Sequence, residues 1–163
     1  GELPAGLTGS GVLSLVSLLI GNEAAESGRL SGGCVRLENG LCFTAEDMTA
    51  FQLAKAAIAA ALACVTRGLC APPEGIRRIY MAGALGSAIK ERDLLRVGLL
   101  PRWAAGKIQP LGNAALCGAA AALDDSARAV ASTVAKGARV LPLEKSAFFS
   151  ERFAEELFFY EQA

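Results

Sequence analysis

Histidine is absent from this sequence, and its absence removes Ser-His and Cys-His nucleophile pairs, imidazole general-base catalysis and every histidine-bearing metal site. An excess of charge of one sign is missing too: 16 Lys and Arg face 16 Asp and Glu, scattered along the chain. Without a basic stripe there is no footprint for a phosphate backbone or an anionic lipid, so neither nucleic acid nor membrane is expected as a partner. The five cysteines, Cys34, Cys42, Cys64, Cys70 and Cys117, are odd in number and form no C-x-x-C pair. That fits neither a disulfide scaffold nor an iron–sulfur ligand set and reads as buried thiols in a reducing cytoplasm. Long apolar runs are scarce. Residues 12–20 are about half the ~20 that a spanning helix needs, and the alanine-rich run after Gln52 is broken by Lys55.

What remains is 163 residues with 53% hydrophobic content, enough for one domain with a core. The chain opens on Gly1 where a natural start has Met, which reads as a piece of a longer protein. Thr8-Gly9-Ser10-Gly11 leads into a helical run at 12–20 that stops at Gly21 and Asn22. Residues 34–37 and 41–43 flank Asn39-Gly40, a two-residue hairpin signal. Thr44 with Asp47 three residues on fits a helix N-terminus, and no Gly or Pro interrupts the pattern until Gly68. Beyond the Pro72-Pro73-Glu74-Gly75 loop, the spacing predicts a strand at 76–82, a tight turn at 83–86 and a helix at 87–97. A strand at 107–111, helices at 114–123 and 124–136, a third strand at 139–143 and a closing amphipathic helix at 146–160 follow. Strands separated by helices argue for an α/β layer with parallel pairing.

One stripe of the long helix runs through Met48, Phe51, Ile58, Leu62, Val65 and Leu69, and the position that should continue it between Phe51 and Ile58 is Lys55. Either the lysine stem packs while the ammonium snorkels to water, or Lys55 and neighbouring Gln52 look into a ligand cleft. Gly83-Ala84-Leu85-Gly86-Ser87, between a strand and a helix, has the small residues that let backbone approach a ligand; glycine there also serves plain turn geometry. It is neither a Walker loop nor a dinucleotide fingerprint. Gly112-Asn113 before an alanine-rich helix repeats the arrangement, with Asn113 placed to cap. The 8–11 turn could receive an anion or only cap its helix. Asp124-Asp125 reads as a helix start, Glu155-Glu156 as a solvated face, and the aromatic set Phe148, Phe149, Phe153, Phe158, Phe159 and Tyr160 as a docking face.

Three segments taken together carry a resemblance: Phe51-Gln52-Leu53-Ala54-Lys55-Ala56-Ala57-Ile58, then Ile79-Tyr80-Met81-Ala82-Gly83-Ala84-Leu85-Gly86, then Val97-Gly98-Leu99-Leu100-Pro101 with Leu111-Gly112-Asn113-Ala114-Ala115. In this order they resemble the C-terminal region of the reductive activators of corrinoid-dependent proteins. These are ATPases of the actin, sugar-kinase and chaperone superfamily joined to a 2Fe-2S ferredoxin-like domain. The resemblance implies a ribonuclease-H-like, actin-type ATPase half-domain over residues 1–163, with a short mostly parallel sheet, flanking helices and a small β-hairpin. It assigns Gln52, Lys55, Gly83, Gly86, Ser87, Gly112 and Asn113 to the adenosine side of a nucleotide cleft. ATP or ADP with Mg would belong to the full-length parent, whose two Asp-Gly-Thr phosphate loops and 2Fe-2S domain are expected upstream. No cofactor, metal or catalytic residue is expected within this chain, which alone should neither hydrolyse ATP nor carry electrons. The implied partner is a corrinoid protein of a methyltransferase system, and a cytoplasmic homodimer is expected. Relatives carry Cys-Gly-Ser-Gly where this chain has Thr8-Gly9-Ser10-Gly11, and a Gly-Phe-Gly-Asn type turn where it has Ala84-Leu85-Gly86-Ser87. A non-catalytic docking and dimerisation module, or the lobe of a small-molecule kinase of the same superfamily, are the alternatives.

Overall fold

The computed structural model describes residues 6–22, 25–26, 29–30, 33–37, 40–68 and 72–159. Helix α1, Gly9–Gly21, is capped by Thr8, whose hydroxyl accepts from the Gly11 N–H at 3.2 Å, and it closes on Asn22 as the sequence predicts. Two antiparallel ribbons follow: β1 (Ala25–Glu26) with β2 (Arg29–Leu30), unannounced by the sequence, and β3 (Cys34–Arg36) with β4 (Cys42–Thr44). Beyond β3 the Leu37 N–H donates to the Leu41 carbonyl, so that bond encloses three residues and not two, and Gly40 takes a φ of +79°. Glu38 and Asn39, on which the hairpin reading leaned, lie outside the described residues.

Helix α2, Ala45–Gly68, starts on the expected box: the Asp47 N–H donates to the Thr44 hydroxyl oxygen at 3.2 Å, and the Asp47 carboxylate accepts from the Thr44 N–H at 2.8 Å. The Thr44 hydroxyl also donates to that carboxylate at 2.9 Å, and the two bonds it accepts from Thr44, first the backbone one, hold the Asp47 carboxyl below its ordinary pKa. The buried side of α2 differs from the stripe drawn from sequence. Met48, Lys55, Ala56, Ala59 and Ala60 are buried, whereas Ile58 and Val65 are 50% and 40% exposed. The face is rotated toward the alanines because helix α7, Ala147–Glu155, packs there and small residues allow close approach. By length and composition α2 is apolar enough to cross a membrane, unlike any shorter run considered above, and its buried face is here covered by protein.

Past the loop, β5 (Ile79–Ala82) pairs in parallel with β6 (Ile108–Gly112). Between them, the predicted helix 87–97 is two: α3, Gly83–Ala88, and α4, Glu91–Arg96, broken where Ile89 and Lys90 are extended. Ile89 thereby turns into the core, and Glu91 and Asp93 fall in the first turn of α4, where carboxylates suit the helix dipole. The expected tight turn 83–86 is itself the first turn of α3. Helices α5 (Ala114–Ala121) and α6 (Asp125–Gly137) are capped by Asn113 and Asp124. The third strand predicted at 139–143 does not form: Val140 is 92% exposed and pairs with no strand among the described residues, Pro142 lacks an N–H, and a 3₁₀ turn at Leu143–Lys145 follows. Helix α7 ends at Glu155, short of the predicted 160.

The core is mainly helical. Leu13, Val16 and Leu19 of α1 meet Leu94 of α4 and Val97, Leu99, Leu100 and Ala104 beyond it, with Phe43 and Met48 alongside. Among these apolar groups Asp93 is buried, 2% exposed. It accepts from the Ser17 hydroxyl at 2.8 Å, the Ser14 hydroxyl at 3.0 Å and Arg92 Nε at 3.3 Å, tying α4 to α1. Burial works to raise the Asp93 pKa, and the bonds from Ser17, Ser14 and Arg92 outweigh it, so the group sits below the ordinary carboxylate value. A depressed folded-state pKa contributes stability above the unfolded value and loses it as pH falls through the folded one. Asp93→Asn should therefore cost about 1–3 kcal/mol at neutral pH, measured by urea unfolding, and the gap to the wild type should narrow as the medium is acidified.

Candidate functional site

Because β5 and β6 run in parallel, their carboxyl ends open on the same side, and that is the side on which open α/β sheets receive ligands. Each strand leads into a glycine bend: Gly83, φ +89°, follows Ala82, and Gly112, φ +64°, is the register partner of Ala82. A Cβ built on either glycine meets no atom within 4 Å, so both bends are open to an approaching group. Gly86 is different. A Cβ there would come within 3.1 Å of Met81 Cβ and 3.2 Å of its carbonyl carbon, so this glycine lets α3 lie on β5. Ser87 lies within α3, and Asn113 caps α5 by accepting from the Leu116 N–H at 3.0 Å. The structure thus brings Gly83, Gly86, Ser87, Gly112 and Asn113 into one corner.

Gln52 and Lys55 are engaged elsewhere. The chain turns back after α7, and Lys55 Nζ donates to the Glu156 carbonyl at 2.7 Å, the Glu156 carboxylate at 3.0 Å and the Phe158 carbonyl at 3.2 Å. Gln52 Nε2 donates to the Leu157 carbonyl at 2.9 Å. Phe159 stacks on Phe51 with centroids 6.3 Å apart, and Lys55 Nζ lies 5.7 Å from the Phe159 centroid. The Lys55 side chain is only 3% exposed. Burial depresses its pKa below the ordinary lysine value, and the Glu156 carboxylate offsets part of that shift. Neither snorkelling nor a bare cleft describes this amine: its three donors are met by the C-terminal turn. A cavity of about 380 Å³ opens beside it, walled by Arg96, Val97 and Gly98 on one side and Arg152, Glu156 and Phe159 on the other; neither glycine bend lines it.

Two participants were hidden in the sequence. Glu156, read with Glu155 as a solvated face, is 19% exposed and is the counter-charge of Lys55. Asp93 carried no signal, since its serine partners lie more than seventy residues upstream. Of the closing aromatics, Phe148 lies under Arg67 at 4.3 Å and Phe159 stacks on Phe51, both against α2. Phe149 and Phe153 instead pair within α7 at 6.0 Å, Phe158 is half exposed and Tyr160 lies outside the described residues. Among the described residues no group of three or more His, Cys, Asp or Glu is arranged to hold a metal ion. Lys55→Ala removes the donor to the Glu156 and Phe158 carbonyls and leaves the Glu156 carboxylate to Arg152 alone, and should destabilise the fold by about 1–3 kcal/mol. Lys55→Met, which fills the space with apolar stem, should cost less, and thermal unfolding of the two variants checks the order.

Comparison with known proteins places this arrangement. Residues 1–163 match the family described as the C-terminal domain of RACo, the ASKHA domain. A solved structure titled "Reductive activator for corrinoid,iron-sulfur protein" superposes with a TM-score of 0.84 at 26% sequence identity, over 98% of this chain and 29% of that one. The chain thus spans less than a third of that protein's length. No curated protein matches at a significant level. The helix-rich α/β architecture, with its parallel pair β5–β6, agrees with an actin-type ATPase half-domain. The chain belongs to the family of RACo C-terminal ASKHA domains.

Proposed function

We propose that residues 1–163 form the C-terminal lobe segment of an ATP-dependent reductive activator of corrinoid proteins and supply the adenosine side of its nucleotide site. The observation that carries this reading is the pair of open glycine bends, Gly83 and Gly112, set side by side at the carboxyl ends of two parallel strands. A nucleoside can lie against backbone there without meeting a Cβ. On this reading Gly83, Gly86, Ser87, Gly112 and Asn113 frame the adenosine, and Gln52 and Lys55 join it only when the turn at Glu156 and Phe158 is displaced. Mg, the phosphate loops and a 2Fe-2S centre belong to other parts of the parent, which the electrons reach first. The corrinoid protein of a methyltransferase system, in the cytoplasm, is the partner to be reduced.

A docking and dimerisation role is favoured by a separate observation. Leu116 of α5, Leu123, and Val130 and Val134 of α6 are 66%, 85%, 65% and 67% exposed, an apolar surface along two helices. The two roles separate cleanly by experiment. Isothermal titration of the full-length protein with ATP should show Gly83→Val and Asn113→Ala weakening affinity by about tenfold, ~1.4 kcal/mol, with melting curves confirming that both variants are folded. Unchanged affinity in both would remove the nucleotide assignment. Val130→Asp with Val134→Asp should leave ATP affinity alone and weaken capture of the corrinoid protein or self-association.

A further inference from the structure

The β3–β4 ribbon carries two thiols that neither the core nor the nucleotide reading uses. Its register pairs Cys34 with Thr44 and Arg36 with Cys42, so Cys34 and Cys42 lie on one face as diagonal neighbours. The Leu37 N–H bond to the Leu41 carbonyl, 2.9 Å, marks that pair as hydrogen-bonded. By alternation the facing pairs Cys34–Thr44 and Arg36–Cys42 are the non-hydrogen-bonded ones, and the two cysteines meet across the diagonal between these pairs. The sequence reading of buried thiols does not hold here: on a two-stranded ribbon one edge of each strand meets solvent, so Cys42 is exposed and Cys34 half-buried, and both thiols are free.

We propose that Cys34 and Cys42 form a reversible thiol–disulfide pair, a redox modification site operated by low-molecular-weight disulfides such as oxidised glutathione. One cysteine, as thiolate, attacks a sulfur of the incoming disulfide and releases one thiol. The other cysteine displaces the remaining half from the mixed disulfide and releases the second thiol. In all, the two cysteines give up two electrons and two protons, the incoming disulfide takes them up as two thiols, and one S–S bond replaces another. A hydrogen bond with the Cys34 thiol, ahead of burial, raises the Cys42 pKa above the ordinary thiol value.

Geometry also sets the character of the bond. Diagonal neighbours stand about 7–8 Å apart, and a disulfide spans up to about 6.8 Å between Cα atoms, so the ribbon must tighten to close it. Among the described residues β3 and β4 pair with no third strand, which leaves the ribbon free to do so. A bond closed under strain is easily reduced again, which is the behaviour of a switch and not of a staple. Thr44, the last residue of β4, caps α2, so the switch sits directly against the start of the helix that carries Gln52 and Lys55.

The test uses the full-length protein, reduced and then incubated with oxidised glutathione before tryptic digestion without reductant. Cleavage after Arg29, Arg36 and Lys55 separates the two cysteines, so the expected product is one disulfide-linked peptide pair by mass spectrometry, lost again on treatment with reduced glutathione. Cys34→Ser should leave Cys42 as a glutathione adduct, and Cys42→Ser the converse. The proposal fails if the wild type carries a separate glutathione on each cysteine, if both stay as thiols, or if either bonds to Cys64, Cys70 or Cys117. It fails equally if the link forms as fast in urea as in native buffer, because the fold would then contribute nothing to bringing the sulfurs together.

Discussion

A protonated amine shut away from water fixes the placement of the chain's last helix. Desolvating an ammonium costs several kcal/mol unless its donors are met, and in Lys55 all three are met by the backbone and carboxylate of the turn after α7. Those acceptors are what the end of a helix offers, carbonyls without intrahelical partners at the negative end of its dipole. The amine sits in the middle of α2, so α7 has to lie along α2 with its C-terminus at that level. Ala56, Ala59 and Ala60 permit the close approach, and the Phe51–Phe159 stack closes the water out.

A second buried charge, of opposite sign, does the same work on the other side of the core. Asp93 ties α4 to α1 through two serine hydroxyls one helical turn apart, Ser14 and Ser17. Two helix pairs are therefore each fixed in register by an ion, and the apolar residues between them fill space without having to specify alignment. The ribbons and the parallel strand pair are attached to this helical body, which leaves the carboxyl ends of β5 and β6 at the surface.

Local chemistry was legible where it acts over short spacings. The Thr44 to Asp47 box and the Asn113 and Asp124 caps follow from residues within a few positions of one another, and β5 and β6 each show as a local run although their pairing reaches across the helices between them. The phase of the buried face on α2 was not legible, because alanine is too small to mark a face until a partner helix is known. Lys55 stood out as an anomaly, yet its counter-charge lies 101 residues downstream and no periodicity connects the two. The strand expected at 139–143 failed for a related reason: apolar character makes a strand only where an edge is available to pair with. The resemblance to corrinoid-protein activators, by contrast, rested on ordered segments spread over much of the chain, and the matching family spans residues 1–163.

One irregularity in β6 governs how the corner at the strand ends is built. Met81 pairs with Pro110 but Ala82 pairs with Gly112, so Leu111 is an extra residue, pushed outward and half exposed. Without it the ladder would run straight with Gly112 still opposite Ala82 and Asn113 still next in line to cap α5. A bulge bends its strand and deepens the local twist, so the single extra residue sets the direction in which the turn at Gly112 sends α5 away from the sheet. A deletion at 111 would keep turn and cap in their roles and re-aim the helix that follows them.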